Sequence, residues 1–496
     1  MDSSTKRDPR VVVVGAGMSG IAMGVALREA GYEDFEILEK GDDVGGVWHW
    51  NHYPGLSCDV PSQIYQYGFR PKPDWKRVFA TGDEIQQYHS EVVDHYGLRP
   101  KIRLGTAVTS ARWGDDGWTI ETGDGEVRRA DFVVMATGLL HHPKIPEIPG
   151  RDEFAGPALH SARWDDEVDV TGKRVAVIGM GSTGVQLVSA FQPIAKQVKL
   201  FSRSPQWVIW APTGIRQPRF ASEWLRRNPR RQDRIYRRLL RASGILAEIT
   251  TKPGWKRKLA QGMAKIHLLT IRNRELRRKL TPDYEPLCKR QVVSGTFYRA
   301  VQKPNVDVVT DRIERIAPTG IVTTDGRHHE LDAIVYATGF EAHNYMRPMN
   351  LTGRDGMTID QAWSGGPRGY RMSAIPGFPN LFTLLGPNSP TGSISLQYSS
   401  ELTAKWIVQW LDGFSRGEFD SVEPTPQATD EFNAEVLEAL GPTVWNTGCN
   451  SWYLKDDGTV DLWPFDRATM RRMLEHPEPA HFKLERSAAQ QPAERL

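Results

Sequence analysis

A buried strand followed by a glycine-rich turn and a helix occurs twice in this sequence, and this repeat restricts the fold more than any other feature. The first copy, VVVVGAGMSGIAMGVALREAG, begins with four valines and continues with Gly15, Gly17 and Gly20 before an amphipathic helix. β-Branched runs suit buried parallel strands, and a GxGxxG turn in this order places a pyrophosphate at the helix N-terminus. The next strand ends at Glu39, 19 positions after Gly20 (39 − 20), the distance of a carboxylate that accepts ribose hydroxyls. The first copy therefore predicts a site for a dinucleotide with a free ribose, such as FAD.

The second copy, KRVAVIGMGSTGVQLVSAF, has the same spacing but a different charge after its next strand. Its turn, which we assign to cofactor binding, consists of Gly179, Gly181, Ser182, Thr183 and Gly184. The strand QVKLFSRS then leads to Arg203, again 19 positions after Gly184 (203 − 184). An arginine can accept a 2′-phosphate through charge-assisted hydrogen bonds, which a carboxylate would repel. The second copy therefore predicts NADPH rather than NADH, with an unpaired surface arginine as the alternative.

Two further strands indicate how the chain alternates between these units. ADFVVMATG (130–138) and DAIVYATGF (332–340) both end in Ala-Thr-Gly, and LFTLLGPNSPTG (381–392) combines a buried strand with a turn at Gly386 that we place beside the flavin. We predict an α/β protein with two Rossmann-like dinucleotide-binding domains and a helical insertion. The segments are 1–145 (FAD domain, first part), 146–211 (NADPH domain, first part), 212–288 (helical insertion), 289–380 (NADPH domain, second part) and 381–496 (FAD domain, C-terminal part).

Charge and cysteine content exclude several classes of function. The 63 basic and 60 acidic residues give a net charge of +3, which argues against nucleic acid as a general partner. No run of about eighteen apolar residues exists, so stable membrane insertion is not expected, and the polar MDSSTKRDPR does not resemble a signal peptide. Cys58, Cys288 and Cys449 are far apart and form no CxxC. We expect a reduced, cytoplasmic protein without structural disulfides or zinc.

The remaining polar features are read as structural. The histidine pairs at 141–142 and 328–329 lie in polar turns without a third ligand, so no metal site is expected. The insertion at 212–288 is basic, as in RRNPRRQDRIYRRLLR (226–241). Solvated helices near an anionic cofactor are the favoured interpretation, and a membrane-surface helix is the alternative. The polar tail LERSAAQQPAERL (484–496) is expected to be mobile.

One segment, FAGPALHSARWD, is neither a clean strand nor a clean helix, and it resembles a family fingerprint. Type I Baeyer-Villiger monooxygenases carry F-x-G-x-x-x-H-x-x-x-W-[PD], which is matched here by Phe154, Gly156, His160, Trp164 and Asp165. A second family pattern is matched in GGVWHWNHYPGLSCD by Gly45, Gly46, Trp48, Tyr53, Pro54, Gly55 and Asp59. Related flavin monooxygenases that oxidise nitrogen or sulfur usually have Tyr or Phe where Trp164 stands.

The resemblance implies both a reaction and a role for the fingerprint. In the family, NADPH reduces FAD, and molecular oxygen adds to the reduced flavin as a C4a-peroxyflavin. This species attacks a ketone and yields an ester or lactone through a Criegee intermediate. The fingerprint is a linker between the two domains. The alternative is that His160 acts as a general base. Gly46 and Trp48 are carried over as cofactor contacts. Oxygenation of nitrogen or sulfur and a flavin-bound redox sensor remain alternative functions, and the protein is expected to be a monomer or homodimer.

Four more residues take roles from the resemblance. Arg290, in PLCKRQVVSGTFYRAVQKPNVDVV, is expected to stabilise the negative charge of the peroxyflavin and the developing oxyanion. Asp59 orients this arginine, and Lys289 joins the NADPH 2′-phosphate. Trp452, in NSWY, approaches the nicotinamide ribose and substrate, with a buried core tryptophan as the alternative. The sequence LKDDGTVDLWPFD that follows departs from the family pattern, so no substrate range is carried over.

Overall fold

Two parallel sheets form the framework of the chain, which a computed structural model describes from residue 7 to residue 486. The strands are β1 (Val11–Val14), β2 (Phe35–Leu38), β3 (Ile102–Arg103), β4 (Val108–Gly114), β5 (Gly117–Thr122), β6 (Val127–Ala130), β7 (Phe132–Met135), β8 (Ala158–His160), β9 (Arg174–Ile178), β10 (Gln197–Phe201), β11 (Val208–Ile209), β12 (Val292–Val293), β13 (Val306–Val309), β14 (Ile313–Ala317), β15 (Gly320–Thr323), β16 (His328–Glu330), β17 (Ala333–Tyr336), β18 (Asn350–Thr352), β19 (Leu381–Thr383), β20 (Ser421–Pro424) and β21 (Phe482–Glu485). The tail predicted to be mobile lies, from residue 487 onward, outside the described residues.

Thirteen α-helices accompany these strands within the described residues. They are α1 (Met18–Glu29), α2 (Val47–Trp50), α3 (Gly82–His95), α4 (Ser182–Phe191), α5 (Arg219–Arg227), α6 (Pro229–Thr251), α7 (Trp255–Leu268), α8 (Arg274–Lys279), α9 (Phe297–Ala300), α10 (Ile359–Ala362), α11 (Leu396–Ser415), α12 (Pro426–Leu440) and α13 (Arg467–Met473). No helix between residues 7 and 486 is both long and apolar enough to cross a membrane.

The first sheet has the order β19-β7-β1-β2-β3 and is parallel throughout. All four valines of β1 are buried. Val11 and Val13 share a core cluster with residues of α1 and α11, whereas Val12 and Val14 share another with residues of β4 and β5. Helix α1 follows β1 directly and packs extensively against α11. Leu381 of β19 pairs with Val133 of β7, so the chain returns to this sheet after forming the second one.

The second sheet has the order β13-β10-β9-β17-β8 and is also parallel. Its edge strand β8 comes from FAGPALH, where the sequence predicts no regular element. Pairing of Ala158 with Ile334 of β17 draws this short segment into the sheet. The chain then turns through a 3₁₀ helix at Ser161–Arg163. The α/β fold with two Rossmann-like units is therefore confirmed.

The two glycine turns have the same backbone geometry. Gly15 and Gly179 have φ angles of +105° and +107°, which a side chain rarely tolerates. A Cβ on Gly20 would lie 1.8 Å from the Gly15 carbonyl oxygen, and a Cβ on Gly184 would lie 2.0 Å from that of Gly179. Each third glycine thus lets its helix pack onto the preceding turn, as expected for a dinucleotide-binding fold.

The cysteine prediction is wrong, because Cys288 and Cys449 form a disulfide. Their Cα atoms are 6.2 Å apart although the residues are 161 positions apart in sequence, a proximity that no local spacing can reveal. Cys58 is a free, buried thiol. The disulfide joins the segment that precedes Arg290 to the segment that precedes Trp452, and both residues lie on the wall of the cleft described next.

Candidate active site

A cleft of about 2690 Å³ runs past the carboxyl ends of strands from both sheets. Gly15 after β1 and Gly179 after β9 both line it, as do the Ala-Thr-Gly segments that follow β7 and β17. Crevices at the carboxyl ends of parallel strands are where α/β proteins bind their ligands. The cleft therefore unites the two glycine turns that the sequence identifies.

The turn after β1 is covered by the start of α2. Gly46 has a φ of +58°, and a Cβ on it would lie 2.8 Å from the Cα of Gly17. Only glycine allows these two backbones to meet, and both residues line the cleft together with Trp48. The indole of Trp48 donates a hydrogen bond from Nε1 to the hydroxyl of Tyr65, 2.9 Å away. The glycine turn after β1 and the segment that contains Gly46 and Trp48 thus form one wall of the cleft.

Glu39 is held at the end of β2 by backbone amides. Its Oε2 accepts from the N–H of Ala16 at 2.7 Å, and its Oε1 accepts from the N–H of Gly41 at 2.8 Å. The residue is only 5% exposed, yet it lines the cleft. A carboxylate oxygen has two lone pairs, so each can accept a further bond from a ribose hydroxyl. The first turn and Glu39 fit a dinucleotide with a free ribose.

The turn after β9 leaves room beside the start of α4. No heavy atom lies within 4 Å of the position that a Cβ on Gly181 would occupy. Gly181, Ser182 and Thr183 line the cleft, whereas Gly184 packs beneath the turn. Among the described residues no side chain caps this helix, so its first N–H groups are available to an anion. This end of the cleft fits a pyrophosphate.

Two cations stand near this second turn. Arg203 is exposed after β10, and Lys289 places its Nζ 3.1 Å from the hydroxyl of Ser204 and 4.2 Å from the ring centre of Tyr284. Burial lowers the pKa of Lys289, and the charge of Arg203 lowers it further. A phosphate between like charges relieves their repulsion. The pair therefore fits a 2′-phosphate.

Arg290 is fixed by three hydrogen bonds. Its Nε and Nη2 donate to the two carboxylate oxygens of Asp59, both at 3.0 Å, and its Nη1 donates to the carbonyl of Thr391 at 2.8 Å. The side chain of Arg290 is 33% exposed and that of Asp59 is 15% exposed, and both residues line the cleft. The adjacent Asp59 charge raises the pKa of Arg290 above its usual value. The arginine is therefore a permanent cation, and these three bonds use three of its five N–H groups.

The C-terminal segment completes this part of the wall. Trp452 lines the cleft and its ring centre lies 4.6 Å from that of buried Tyr453. Burial raises the pKa of Tyr453 to about 12, and the charge of Arg290 acts in the opposite direction. Lys455–Gly458, from the unusual LKDDG sequence, form a turn closed by the Lys455 N–H donating to the Thr459 carbonyl at 2.8 Å. That turn also lines the cleft.

Sequence reasoning missed the residues that position the turn after β19. Asp461 accepts from the N–H of Asn388 at 2.7 Å and also accepts from the hydroxyl of Tyr345. Its neighbours in LKDDGTVDLWPFD give no local signal for this contact. Gly386, predicted beside the flavin, lies where a Cβ would be 2.2 Å from Oγ1 of Thr383. The glycine is thus required by packing, and Thr391 from the same turn reaches Arg290.

The fingerprint residues lie outside the cleft wall. His160 is buried, its Nδ1 accepts from the N–H of Ala162 at 3.1 Å, and its ring lies 5.9 Å from that of Phe340. Burial lowers the pKa of His160 to about 4. A Cβ on Gly156 would lie 2.6 Å from the carbonyl oxygen of Asp332. These positions belong to the edge of the second sheet.

Among the remaining fingerprint residues, Trp164 shares a buried cluster with a residue that precedes the second unit. Trp164 packs against Phe191 of α4 with ring centres 6.0 Å apart, and it shares a buried cluster with Tyr53 of the YPG motif. The Tyr53 hydroxyl donates to Oε1 of Gln186 at 2.8 Å. Phe154 packs onto a separate cluster under the second sheet, and Asp165 accepts from the N–H of Glu167 at 3.0 Å. The fingerprint and the YPG motif therefore meet at a junction between the two sheets.

Comparison with known proteins agrees with this geometry. Residues 12–216 match the family model for pyridine nucleotide-disulphide oxidoreductases. An uncharacterized monooxygenase of Mycobacterium tuberculosis is 47% identical, with 98% of each chain covered. A Baeyer-Villiger monooxygenase of Streptomyces coelicolor is 38% identical over 97% of this chain and 94% of its own. The crystal structure of cyclohexanone monooxygenase from Rhodococcus sp. Phi1 bound to NADP+ superposes with a TM-score of 0.86 at 28% identity, over 97% of this chain and 99% of that one.

Proposed function

The chain belongs to the type I Baeyer-Villiger monooxygenases, and from this membership we propose that it uses FAD, NADPH and O₂ to convert a ketone into an ester or lactone. The observation that carries the proposal is the ion pair of Arg290 and Asp59 on the wall of a cleft shared by two nucleotide turns. A permanent cation beside the reacting oxygen atoms stabilises the negative charge that develops there.

Residues of the first unit would hold FAD. The N-terminus of α1 at Gly15 and Gly17 would receive the pyrophosphate, and Glu39 would accept hydrogen bonds from the ribose. Gly46 and Trp48 close over the same turn. Bound FAD would supply the redox chemistry through which molecular oxygen reacts. The protein's own contribution is to orient this group and to keep water from it.

Residues of the second unit would hold NADPH. Gly179, Gly181 and the start of α4 would receive its pyrophosphate, and Arg203 with Lys289 would bind the 2′-phosphate. Trp452, which also lines the cleft, would limit the space beside the nicotinamide and the substrate. The Lys455–Gly458 turn would shape the same space, which is why we assign no particular ketone.

Arg290 would act as an electrostatic stabiliser and not as a base. Its pKa is raised by Asp59, so it stays protonated at any working pH. Asp59 and the Thr391 carbonyl fix the plane of the guanidinium, and Arg290 lines the cleft in this fixed orientation. Asp59 is thus a positioning residue, and it also offsets the cost of keeping a cation partly away from water.

The fingerprint would transmit motion between the two units. His160 and Gly156 lie at the edge of the second sheet, whereas Trp164 contacts the cluster that contains Tyr53. We propose that this junction is the linker at which the units move, and that the domain limits are those predicted from the sequence. The burial of His160 and its lowered pKa support a structural role over a general base.

We also propose a cytoplasmic location. The expected absence of disulfides no longer supports it, because Cys288 and Cys449 are bonded and disulfides are rare in reducing compartments. The proposal now depends on family membership alone.

The test is a single-turnover experiment on the purified flavoprotein. The flavin is reduced anaerobically with one equivalent of NADPH, then mixed with isotopically labelled O₂ and either a panel of ketones or a sulfide. We expect rapid bleaching of the flavin and an ester or lactone that contains one labelled oxygen atom. A labelled sulfoxide without any ester would indicate the heteroatom-oxygenating class. A flavin that NADPH does not reduce would contradict the proposal and indicate a redox sensor.

A further inference from the structure

Helix α7 turns an apolar stripe toward solvent. Trp255, Leu259, Met263 and Ile266 are 70%, 58%, 58% and 66% exposed. At 3.6 residues per turn these four positions fall within an arc of about 80°. Surface helices normally turn such a stripe toward the protein core. Here the side facing the protein is the opposite one, where Ala264 and Leu268 are buried. The outward stripe therefore lacks a partner within the described part of the chain.

Cationic side chains border this stripe. Lys258 and Lys265 project along one edge of α7, and both are exposed. Neighbouring α6 adds a second group of exposed cations: Arg230, Arg231, Arg234, Arg237, Arg238 and Arg241. We call the outward surfaces of these two helices the α6–α7 face. It includes the apolar stripe of α7, the two lysines along one edge of that stripe and the exposed arginines of α6, and the two helices contact each other.

The positive charge is concentrated in this part of the chain. Residues 212–288 contain 20 basic and 6 acidic residues, a net charge of +14 (20 − 6), although the whole chain carries only +3. The remainder of the chain is therefore negative. Arg237, Lys256 and Lys265 have acidic partners at Asp233, Glu248 and Glu285. Among residues 7–486 no ion pair engages Arg230, Arg234, Arg238 or Arg241.

We propose that the α6–α7 face docks onto the surface of an anionic phospholipid bilayer. In this geometry α7 lies parallel to the membrane with Trp255, Leu259, Met263 and Ile266 among the headgroups and upper acyl chains. The arginines of α6 and the lysines of α7 meet the lipid phosphates. The protein rests on the bilayer without crossing it, in agreement with the absence of a spanning helix between residues 7 and 486.

The charge distribution favours a bilayer over other occupants of this face. A second copy of the chain would bring two strongly positive surfaces together, and like charges across an interface repel. Nucleic acid would satisfy the cations, but an outward row of Trp, Leu, Met and Ile offers its phosphates no hydrogen bonds. An anionic bilayer suits both the cations and the apolar stripe, because its headgroups carry negative charge and its interface accepts apolar side chains.

Helix α6 contributes both to the α6–α7 face and to the wall of the cleft. Ser243 and Leu246 of α6 line the cleft, while Ile245 between them is 53% exposed. Docking would therefore bring one wall of the cleft next to the bilayer. As a consequence, which rests on the proposed function, ketones that dissolve in the bilayer would be preferred substrates. The docking itself does not depend on that reaction.

The test is sedimentation of the purified flavoprotein with lipid vesicles. One set contains phosphatidylcholine alone, and the other contains equal parts of phosphatidylcholine and phosphatidylglycerol. We expect binding to the anionic vesicles and a loss of binding as salt is raised, because salt screens exposed charges. Equal binding to both sets, or to neither, would overturn the proposal.

Two matched pairs of variants locate the contact. Trp255→Ser with Ile266→Ser should weaken binding at least about tenfold. Val127→Ser with Leu437→Ser, which are apolar positions elsewhere that are 57% and 60% exposed, should not. Arg234→Glu with Arg238→Glu should also weaken binding, and Lys196→Glu with Lys303→Glu should not. None of these side chains lies in the catalytic cleft, and retained flavin absorbance reports intact folding. If the Trp255 and Ile266 variant instead dissociates a dimer in solution and binds vesicles normally, the face is a contact between copies and the proposal fails.

Discussion

Arg290 and Asp59 are 231 positions apart in sequence, yet their side chains form a two-point ion pair with both N···O distances at 3.0 Å. A third bond to the Thr391 carbonyl fixes the guanidinium from another side. Three contacts at separate atoms leave the group little rotational freedom. Its charge is therefore oriented before any substrate arrives, which is what electrostatic stabilisation of a reacting oxygen requires.

Replacing Arg290 should uncouple NADPH oxidation from product formation. We expect Arg290→Ala to bind FAD and oxidise NADPH, because the residue contacts neither glycine turn, but to form ester roughly 100-fold to 1000-fold more slowly. Arg290→Lys keeps the charge and loses the two-point contact, so its rate of ester formation should lie between those of the wild type and Arg290→Ala. The measurement is ester formed per NADPH consumed. Coupling at the wild-type level in Arg290→Ala would contradict the assigned role.

Replacing Asp59 should act through Arg290. Asp59→Asn preserves the size of the side chain but removes the charge, so we expect a loss of coupling that is about tenfold and smaller than in Arg290→Ala. The decisive comparison is the double variant. The effects of substituting residues that act as a unit are not additive. Asp59→Asn should therefore cause almost no further loss of coupling in the Arg290→Ala background. Full additivity would show that Asp59 has an independent function.

Arg203 and Lys289 should determine the choice of nicotinamide cofactor. Removal of a hydrogen bond to a charged phosphate costs about 1.5–3 kcal/mol, so Arg203→Ala and Lys289→Ala should each lower kcat/KM for NADPH by about 10-fold to 100-fold. NADH lacks the 2′-phosphate and serves as the internal control, and its kcat/KM should hardly change. An equal loss of kcat/KM with both cofactors would show that these cations do not recognise the 2′-phosphate.

His160 should contribute to the pH dependence of stability. Its pKa in the folded protein is about 4, below the ordinary value of about 6.5, so the unfolded chain binds more protons between these limits. The stability associated with a neutral His160 is complete above pH 6.5 and is lost as the pH falls toward 4. His160→Asn can still accept from the Ala162 N–H through Oδ1 and does not titrate. It should reduce the slope of the unfolding free energy against pH by about one proton, or about 1.4 kcal/mol per pH unit.

Two other buried histidines provide the control for this measurement. His89 and His141 also have lowered pKa values, to about 4 and about 3, because of burial. The His160→Asn variant should therefore keep part of the wild-type slope. Urea unfolding from pH 4 to pH 7 measures it. An unchanged slope would mean that His160 reaches water in the folded protein.

Local sequence predicted the nucleotide turns well, because the requirements at each turn are local. Gly15 and Gly20 are needed where the backbone of a single turn approaches itself, and the spacing to Glu39 follows from one strand-helix-strand unit. The pairing of Arg290 with Asp59 was expected only from the family resemblance. Nothing near either residue in sequence indicates the other.

The missed features are contacts between distant segments. Asp461 holds Asn388, and the Thr391 carbonyl holds Arg290, but a backbone carbonyl carries no residue-type signal at all. The strand Ala158–His160 was missed because its pairing with β17, and not its own composition, makes it extended. Similarly, the exposed stripe of α7 has the periodicity of an ordinary amphipathic helix, and only the fold shows that it faces outward.

The Cys288–Cys449 disulfide should be detectable by counting thiols. In denaturant without reductant, we expect one cysteine, Cys58, to react with an alkylating reagent, and all three after reduction. Closing a loop of 161 residues removes conformational freedom from the unfolded chain, worth up to about 5 kcal/mol in the chain-entropy model. Cys449→Ser should therefore lower the unfolding free energy by up to that amount. Reductant should lower the unfolding free energy of the wild type similarly and leave that of the variant unchanged. Three reactive thiols in unreduced protein would show that the two cysteines lie close together without forming a bond.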